Sequence, residues 1–266
     1  MVTEISKQCN KTEDEAISLE EVGFAYHRQD SSLLHVLEDT HFSIPYQQVV
    51  GLVGRNGAGK TTLLEILRGT LIPQKGKVKV GKLLVSTNGK LIKRSTAALI
   101  SQNPSVGLAP TLTVYENFLI ATEQKSNSLH WAYSKSTESA CIKLLAKANM
   151  SLEDKCHEQV RFLSGGQQQA LSILLALQSP DRILLLDEPT ASLDPFVAKK
   201  IMDIATDEVR KVKGAILLVS HRLRDVVEIC SRIIVLKNGV ISNDIDCTTD
   251  GKITEQDLLA IMSESN

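Results

Sequence analysis

Two kinds of apolar run alternate along the chain. Short continuous ones, VVGLV from Val49, ILLL from Ile183 and AILLV from Ala215, carry β-branched residues and leucine without polar interruption, as strands buried on both faces do. Between them, TTLLEILRG from Thr61, QQQALSILLALQS from Gln167 to a stop at Pro180, and the stretches near Phe196–Val212 and Leu223–Cys230 space their apolar residues as amphipathic helices do. This alternation predicts an α/β chain, a mostly parallel sheet with helices on both faces.

The flanks read differently. ISLEEVGFAY from Ile17 and LEDTHFSI from Leu37 alternate over short spans around the polar loop HRQDSS, predicting antiparallel strands and hence an N-terminal antiparallel β-subdomain. Asn88-Gly89 between apolar runs predicts a hairpin, and AALIS from Ala97 a further strand. Residues 113–150 (VYENFLIA, ESACIKLLAKANM) turn helical, an inserted α-helical subdomain whose span, with the helix that follows, is about residues 103–180. The strand pair RIIVLKNGVI and the short helix EQDLLAIM end the pattern. Residues 1–16 are polar without periodicity and are expected to be a flexible tail, leaving 17–266 as a single domain.

Composition narrows the function classes. Thirty Lys and Arg against 31 Asp and Glu leave a net charge of −1, which disfavours a dedicated nucleic-acid binder. The longest apolar stretches fall far short of the roughly 20 residues of a membrane span, and the first residues lack the pattern of a signal peptide, so a cytoplasmic chain is expected. Five scattered cysteines, never in a C-x-x-C pair, read as reduced structural thiols.

One segment carries specific chemistry. Gly54-Arg55-Asn56-Gly57-Ala58-Gly59-Lys60-Thr61, followed by Thr62, fits G-x-x-x-x-G-K-[ST] and lies between a predicted strand and a predicted helix. Glycines let backbone amides curl around a polyphosphate, Lys60 supplies charge, and the Thr61 hydroxyl can ligate Mg²⁺. At ordinary residue frequencies the four fixed positions recur by chance in roughly one chain of this length in a hundred. Further on, Leu163-Ser164-Gly165-Gly166-Gln167 opens a helix: as an ordinary N-cap, or, with the Ser164 hydroxyl and the amides of Gly165 and Gly166, as a second anion site. In ILLLDEPTASLD, Asp187 and Glu188 end an apolar strand, where α/β proteins bind ligands. They are an exposed acidic turn unless the phosphate loop lies beside them. In that case Asp187 can hold the Mg²⁺ shell and Glu188 can act as general base on the attacking water.

With these motifs in order, the chain resembles the ATP-binding cassette ATPases, whose LSGGQ signature stands unaltered at Leu163–Gln167; the resemblance runs over about residues 17–243. It implies that ATP on the phosphate loop of one chain is closed over by the signature of another, so the partner is a second copy or a homologous cassette. It also implies roles for residues that carry no signal alone. His221, after AILLVS, matches the switch histidine of the γ-phosphate, and Gln102 the loop glutamine that senses Mg²⁺ or the attacking water. Tyr26 matches the ring stacked on adenine, though an edge-strand tyrosine is the plain alternative; Asp194 matches the loop aspartate facing the opposite cassette, and is equally placed to cap a helix before Pro195. His27, His35, His41, His130 and His157 have no such context.

The resemblance implies an ATPase subunit of a transporter, with ATP and Mg²⁺ as cofactors, peripheral on the cytoplasmic face of the membrane. An integral membrane permease would dock beside Gln102 and residues 103–150, with a solute-binding protein as a further partner. Two alternatives are a soluble cassette acting on ribosomes or DNA, disfavoured by a single cassette without coiled coils, and a non-hydrolysing regulator, disfavoured by Glu188 and His221; an exporter subunit is the remaining variant. Where many members continue the signature with arginines, Ala170 and Leu175 stand here, and NPSVGLAPTLTVYENFL after Gln102 is also distinctive. These departures resemble importer-type cassettes, some linked to uptake of aromatic amino acids or other small organic solutes.

Overall fold

The computed structural model describes residues 15–103, 106–122, 134–179, 182–249 and 253–263. Two sheets share the work. The antiparallel one has the order β2-β1-β4-β5-β6, from β1 (Glu15–His27), β2 (Leu33–Pro45), β4 (Lys75–Val80), β5 (Leu83–Thr87) and β6 (Lys90–Leu91). The other has the order β11-β10-β3-β9-β8-β7, from β3 (Val49–Val53), β7 (Ala98–Ile100), β8 (Ile183–Asp187), β9 (Ala215–Val219), β10 (Arg232–Lys237) and β11 (Val240–Asp246). It is parallel except for its edge pair β10–β11.

Within the parallel strands the continuous apolar runs divide by strand alternation between two cores. Leu184, Leu186, Ile216, Leu218, Ile233 and Val235 face one cluster, shared with α2 (Val114–Thr122), α3 (Lys135–Ala146), α4 (Gly165–Ala176), α5 (Pro195–Lys211), α6 (Leu223–Ile229) and α7 (Glu255–Ser263). Ile183, Leu185, Leu217, Ile234 and Leu236 face the other, where a single helix, α1 (Lys60–Arg68), packs together with Ile17, Leu19, Val78 and Val80 of the antiparallel sheet. Helices thus lie on both faces of the parallel sheet, and on the second face the antiparallel sheet packs beside α1. The antiparallel strands had alternating patterns that bury one side, and that side needed a partner.

The polar tail is also shorter than expected. Residues 1–14 lie outside the described residues, but Glu15 pairs with Pro45 and Ala16 is fully buried, its carbonyl accepting from Gly81 N–H at 2.7 Å. A small apolar residue next to a polar run can still close a sheet. The helix expected to stop at Pro180 ends at Ala176, capped by Leu177; Pro180 itself lies outside the described residues. Among the described residues no helix is long and apolar enough to cross a membrane. Cys141, Cys156 and Cys230 are buried thiols, the first two with sulfurs 3.7 Å apart.

One turn ties both sheets to the phosphate loop. Asn238 and Gly239 (φ 48° and 81°) make the two-residue turn between β10 and β11 that left-handed residues favour. Gly239 N–H donates to Ala58 O (3.2 Å), and its carbonyl accepts from Glu38 N–H (3.0 Å) and from the buried Thr40 hydroxyl (3.0 Å). A Cβ there would lie 2.3 Å from Val36 O. Gly239→Ala adds backbone strain of about 1–3 kcal/mol to that clash. Its urea midpoint should fall well below wild type with an unchanged slope; an unchanged midpoint would show that the turn is not a joint.

Candidate functional site

The site lies where β3, β8 and β9 end together. After Val53 the chain must turn into α1 beneath β10, and only glycine fits the first step: a Cβ on Gly54 would stand 2.3 Å from Leu236 O. Arg55, Asn56 and Gly57 are exposed and Ala58 is buried, and Gly59 (φ 105°) caps α1, so the first-turn amides of that helix open toward the loop. No side chain caps this terminus, which leaves its free N–H groups to an anion.

Lys60 is buried, its ammonium donating to Gly54 O at 2.7 Å and Arg55 O at 3.1 Å. Burial lowers its pKa, while Asp187 and Glu188 pull the other way. The loop thus presents an ammonium, a row of backbone amides and the hydroxyls of Thr61 and Thr62, a set that fits a polyphosphate. Thr61 and Asp187 supply hard oxygen ligands of the kind Mg²⁺ takes.

The two carboxylates differ in setting. Asp187 closes β8 in register with Val219; burial raises its pKa, offset by Lys60 and His221. Glu188 then takes a left-handed backbone (φ 53°), costing of order 1–3 kcal/mol for a non-glycine residue. Its own N–H donates to Val219 O (2.9 Å), and its carboxylate accepts from His221 N–H at 2.6 Å, with His221 Nε2 3.7 Å away. Burial, dominant over these contacts, raises the Glu188 pKa. The Glu188 side chain is 17% exposed and the His221 ring 60%. So β8 and β9 bring together Asp187, Glu188 and His221 opposite Lys60, residues far apart in sequence. Ser220, which drew no notice in the sequence, holds this turn: its hydroxyl accepts from Arg222 N–H at 3.1 Å.

Gln102 is exposed just beyond β7, whose last residue Ile100 is in register with Leu186, so it stands at the same sheet edge as the carboxylates. Tyr26, 39% exposed, reaches over α1 from β1, its hydroxyl 3.3 Å from Thr62 Oγ1 and its ring packed edge-on against Phe24.

The signature turn opens α4, which packs on the other face of the parallel sheet from α1. Ser164 caps α4 in a reciprocal box with Gln167, at 3.3 and 3.2 Å, and Gln167 also donates to Met150 O. Ser164 and Gly165 are exposed, with open space where a Gly165 Cβ would stand, and Gly166 lies against Leu193. Asp194 accepts from Phe196 N–H and Val197 N–H at 3.1 and 3.0 Å, so the helix-capping reading holds. None of the hydrogen bonds made by Ser164, Gln167 or Asp194 runs to the phosphate loop. Gly239 is the supporting residue that sequence reasoning missed; its Asn-Gly signal marked a hairpin but not the loop behind it.

A family model described as ABC transporter matches residues 37–191. The chain is 28% identical to a tyrosine transport ATP-binding protein of Clostridioides difficile, over 84% of this chain and 89% of that protein. It is 32% identical to an energy-coupling factor transporter ATP-binding protein of Caldanaerobacter subterraneus, over 85% of this chain and 77% of that one. It is 30% identical to a methionine import ATP-binding protein of Streptococcus pyogenes, over 85% of this chain but 63% of the relative's length. Among solved structures, a dimeric post-hydrolysis ATP-binding cassette bound to ADP and Pi superposes with a TM-score of 0.71 at 25% identity, covering 86% of this chain and 98% of that one.

The raised Glu188 pKa has a consequence for stability. A carboxyl that holds its proton more tightly folded than unfolded favours folding below its unfolded pKa, and that contribution is lost as pH rises through the folded value. Glu188→Gln keeps an acceptor for His221 N–H without the buried charge. At pH 7 it should unfold at a higher denaturant midpoint than wild type, the gap closing near about pH 4; a wild type at least as stable at pH 7 would contradict the assignment.

Proposed function

This chain belongs to the ABC transporter family as an ATP-binding, ATP-hydrolysing cassette, and on that footing we propose that it works as the motor subunit of an importer, closing with a second cassette over two ATP. The observation that carries the proposal is the meeting of Lys60 with Asp187 and Glu188 at one sheet edge, while the signature turn is exposed elsewhere. A phosphate site and a signature that do not meet within one chain are two halves, and two chains supply the complement of each.

In this reading residues 17–266 form one cassette domain, with about 103–180 as its helical subdomain. The amides of Gly54–Gly59, Lys60, Thr61 and Thr62 bind the phosphates, and Tyr26 stacks on adenine. Ser164, Gly165, Gly166 and Gln167 contact the ATP held by the partner, with Asp194 facing the same interface. Thr61, Asp187 and Gln102 would hold Mg²⁺, which would supply neutralisation of phosphate charge. Glu188 orients and deprotonates the attacking water; its raised pKa brings it closer to the working pH of a general base. His221, anchored by its amide to Glu188, turns its exposed ring toward the γ-phosphate.

Transport needs a membrane partner, because no described helix spans a bilayer. A cleft of about 510 Å³ lies between the β7 edge and the helices α2 and α4, lined by Leu99, Ile100, Leu108, Ala121 and Leu175, with Ile120 61% exposed at its rim. This cleft, which Arg68, Thr96, Asn117 and Ser172 also line, suits a short helix of a permease, and in this reading the protein is peripheral on the cytoplasmic face of the membrane. The name of the methionine relative supports import, and both names support a small organic solute as cargo; a solute-binding protein would deliver it.

Steady-state ATPase assays of wild type and Glu188→Gln test the chemistry: the variant should be slower by about 10²–10⁴-fold and form a dimer by light scattering in ATP, whereas equal rates would remove Glu188 from the reaction. Ile120→Glu should cost copurification with the permease while leaving basal ATPase unchanged; undiminished copurification would move the docking site elsewhere.

A further inference from the structure

Among the described residues, the end of the strand that carries Tyr26 has a neighbouring strand on one side only. The ladder between β1 and β4 runs from Ile17↔Val80 to Gly23↔Lys75 and ends there. Beyond it Ala25 lies in register with His35 of β2, while its main chain faces the side β4 has left. An N–H and a carbonyl there, next to the residue proposed to stack on adenine, would free that strand end to shift.

Gln74 takes the place of the missing strand. Its Oε1 accepts from Ala25 N–H at 2.9 Å and its Nε2 donates to Ala25 O at 2.9 Å, so one side-chain amide reproduces both bonds of a ladder pair. The segment that bears it is itself fixed: Gly89 N–H donates to Pro73 O (2.9 Å), and Gly76 N–H donates to Asn88 Oδ1 (3.0 Å), so the β5–β6 turn holds residues 73–76 from behind. On the other side of Ala25, the Tyr26 ring is located by Phe24 at 4.8 Å between centroids and by its hydroxyl on Thr62.

We propose that Gln74 is a positioning residue for nucleotide recognition: its paired hydrogen bonds to Ala25 lock the strand end so that Tyr26 is presented over the first turn of α1. The inference rests on the proposed stacking of Tyr26 on adenine. Gln74 itself touches no phosphate-loop residue in its two bonds, so its effect belongs to the base and not to the phosphates.

The test compares two ligands of the full-length chain in Mg²⁺, ATP and inorganic tripolyphosphate, by calorimetry. Gln74→Ala should weaken ATP about three- to tenfold, the loss two modest hydrogen bonds allow, while tripolyphosphate changes by less than about twofold, within the scatter of one such bond. In a Tyr26→Ala background Gln74→Ala should add nothing. Equal losses for both ligands, or the same loss without Tyr26, would overturn the inference by making Gln74 a general structural support. A Tyr26→Ala chain that keeps the wild-type preference for ATP over tripolyphosphate would instead overturn the stacking itself. Gln74→Met, which keeps the side-chain length without the amide, separates loss of the bonds from loss of packing: it should match Gln74→Ala, and wild-type affinity for ATP in it would refute the role of the two bonds.

Discussion

A buried ammonium has to be balanced, and the organisation of this site follows from balancing that of Lys60. Removing it from water is costly unless oxygens surround it. Two come from the loop itself, Gly54 O and Arg55 O, and the remaining attraction comes from Asp187 and Glu188, which arrive on a different strand. This places a demand on the fold: β3 must feed the loop while β8 ends beside it, with β9 between them in the sheet. The parallel order, the glycine at position 54 and the left-handed turn at Glu188 all serve that convergence. The carbonyls now holding Lys60 are weaker partners than a phosphate oxyanion, so a polyphosphate can draw the ammonium forward without leaving a buried group unpaired.

The same economy governs Glu188. Its backbone is strained and its carboxylate is partly desolvated; both oppose folding, and the desolvation raises its basicity. His221 N–H offsets part of the desolvation while tying the end of β9 to the end of β8. A bond between the two strand ends means that movement of either is felt by the other.

Much of this was legible in the sequence because the chemistry is local. The run from Gly54 to Thr61 needs its glycines and lysine at fixed spacing, and ILLLD followed by Glu188 states both the strand and its acidic end. The strands and helices were readable for the same reason, each being a short window with one period. What was not legible depends on contacts between distant segments. Nothing local says that the antiparallel sheet packs beside α1 on the second face of the parallel sheet; nothing near Gly239 says that Val36 and Ala58 lie against it; and Gln74, a polar residue after a proline, gives no hint that it completes a strand about fifty residues earlier. Ala16 was lost in a polar tail because a single buried residue has no period. The roles of Tyr26, Gln102 and Asp194 rested on resemblance, since each type is ordinary where it stands.

The central claim is that a single chain carries two halves of an ATPase site that meet only across two copies. It is tested most directly by cross-linking. Chains bearing Asn56→Cys are mixed with chains bearing Ser164→Cys, with Cys9 and Cys247 replaced by serine, and oxidised without nucleotide, with ADP and with ATP. The account predicts a disulfide-linked pair of the two different chains in ATP, and little or none without it. Chains that hydrolyse ATP yet give no such pair, or that give it equally in every condition, would contradict it.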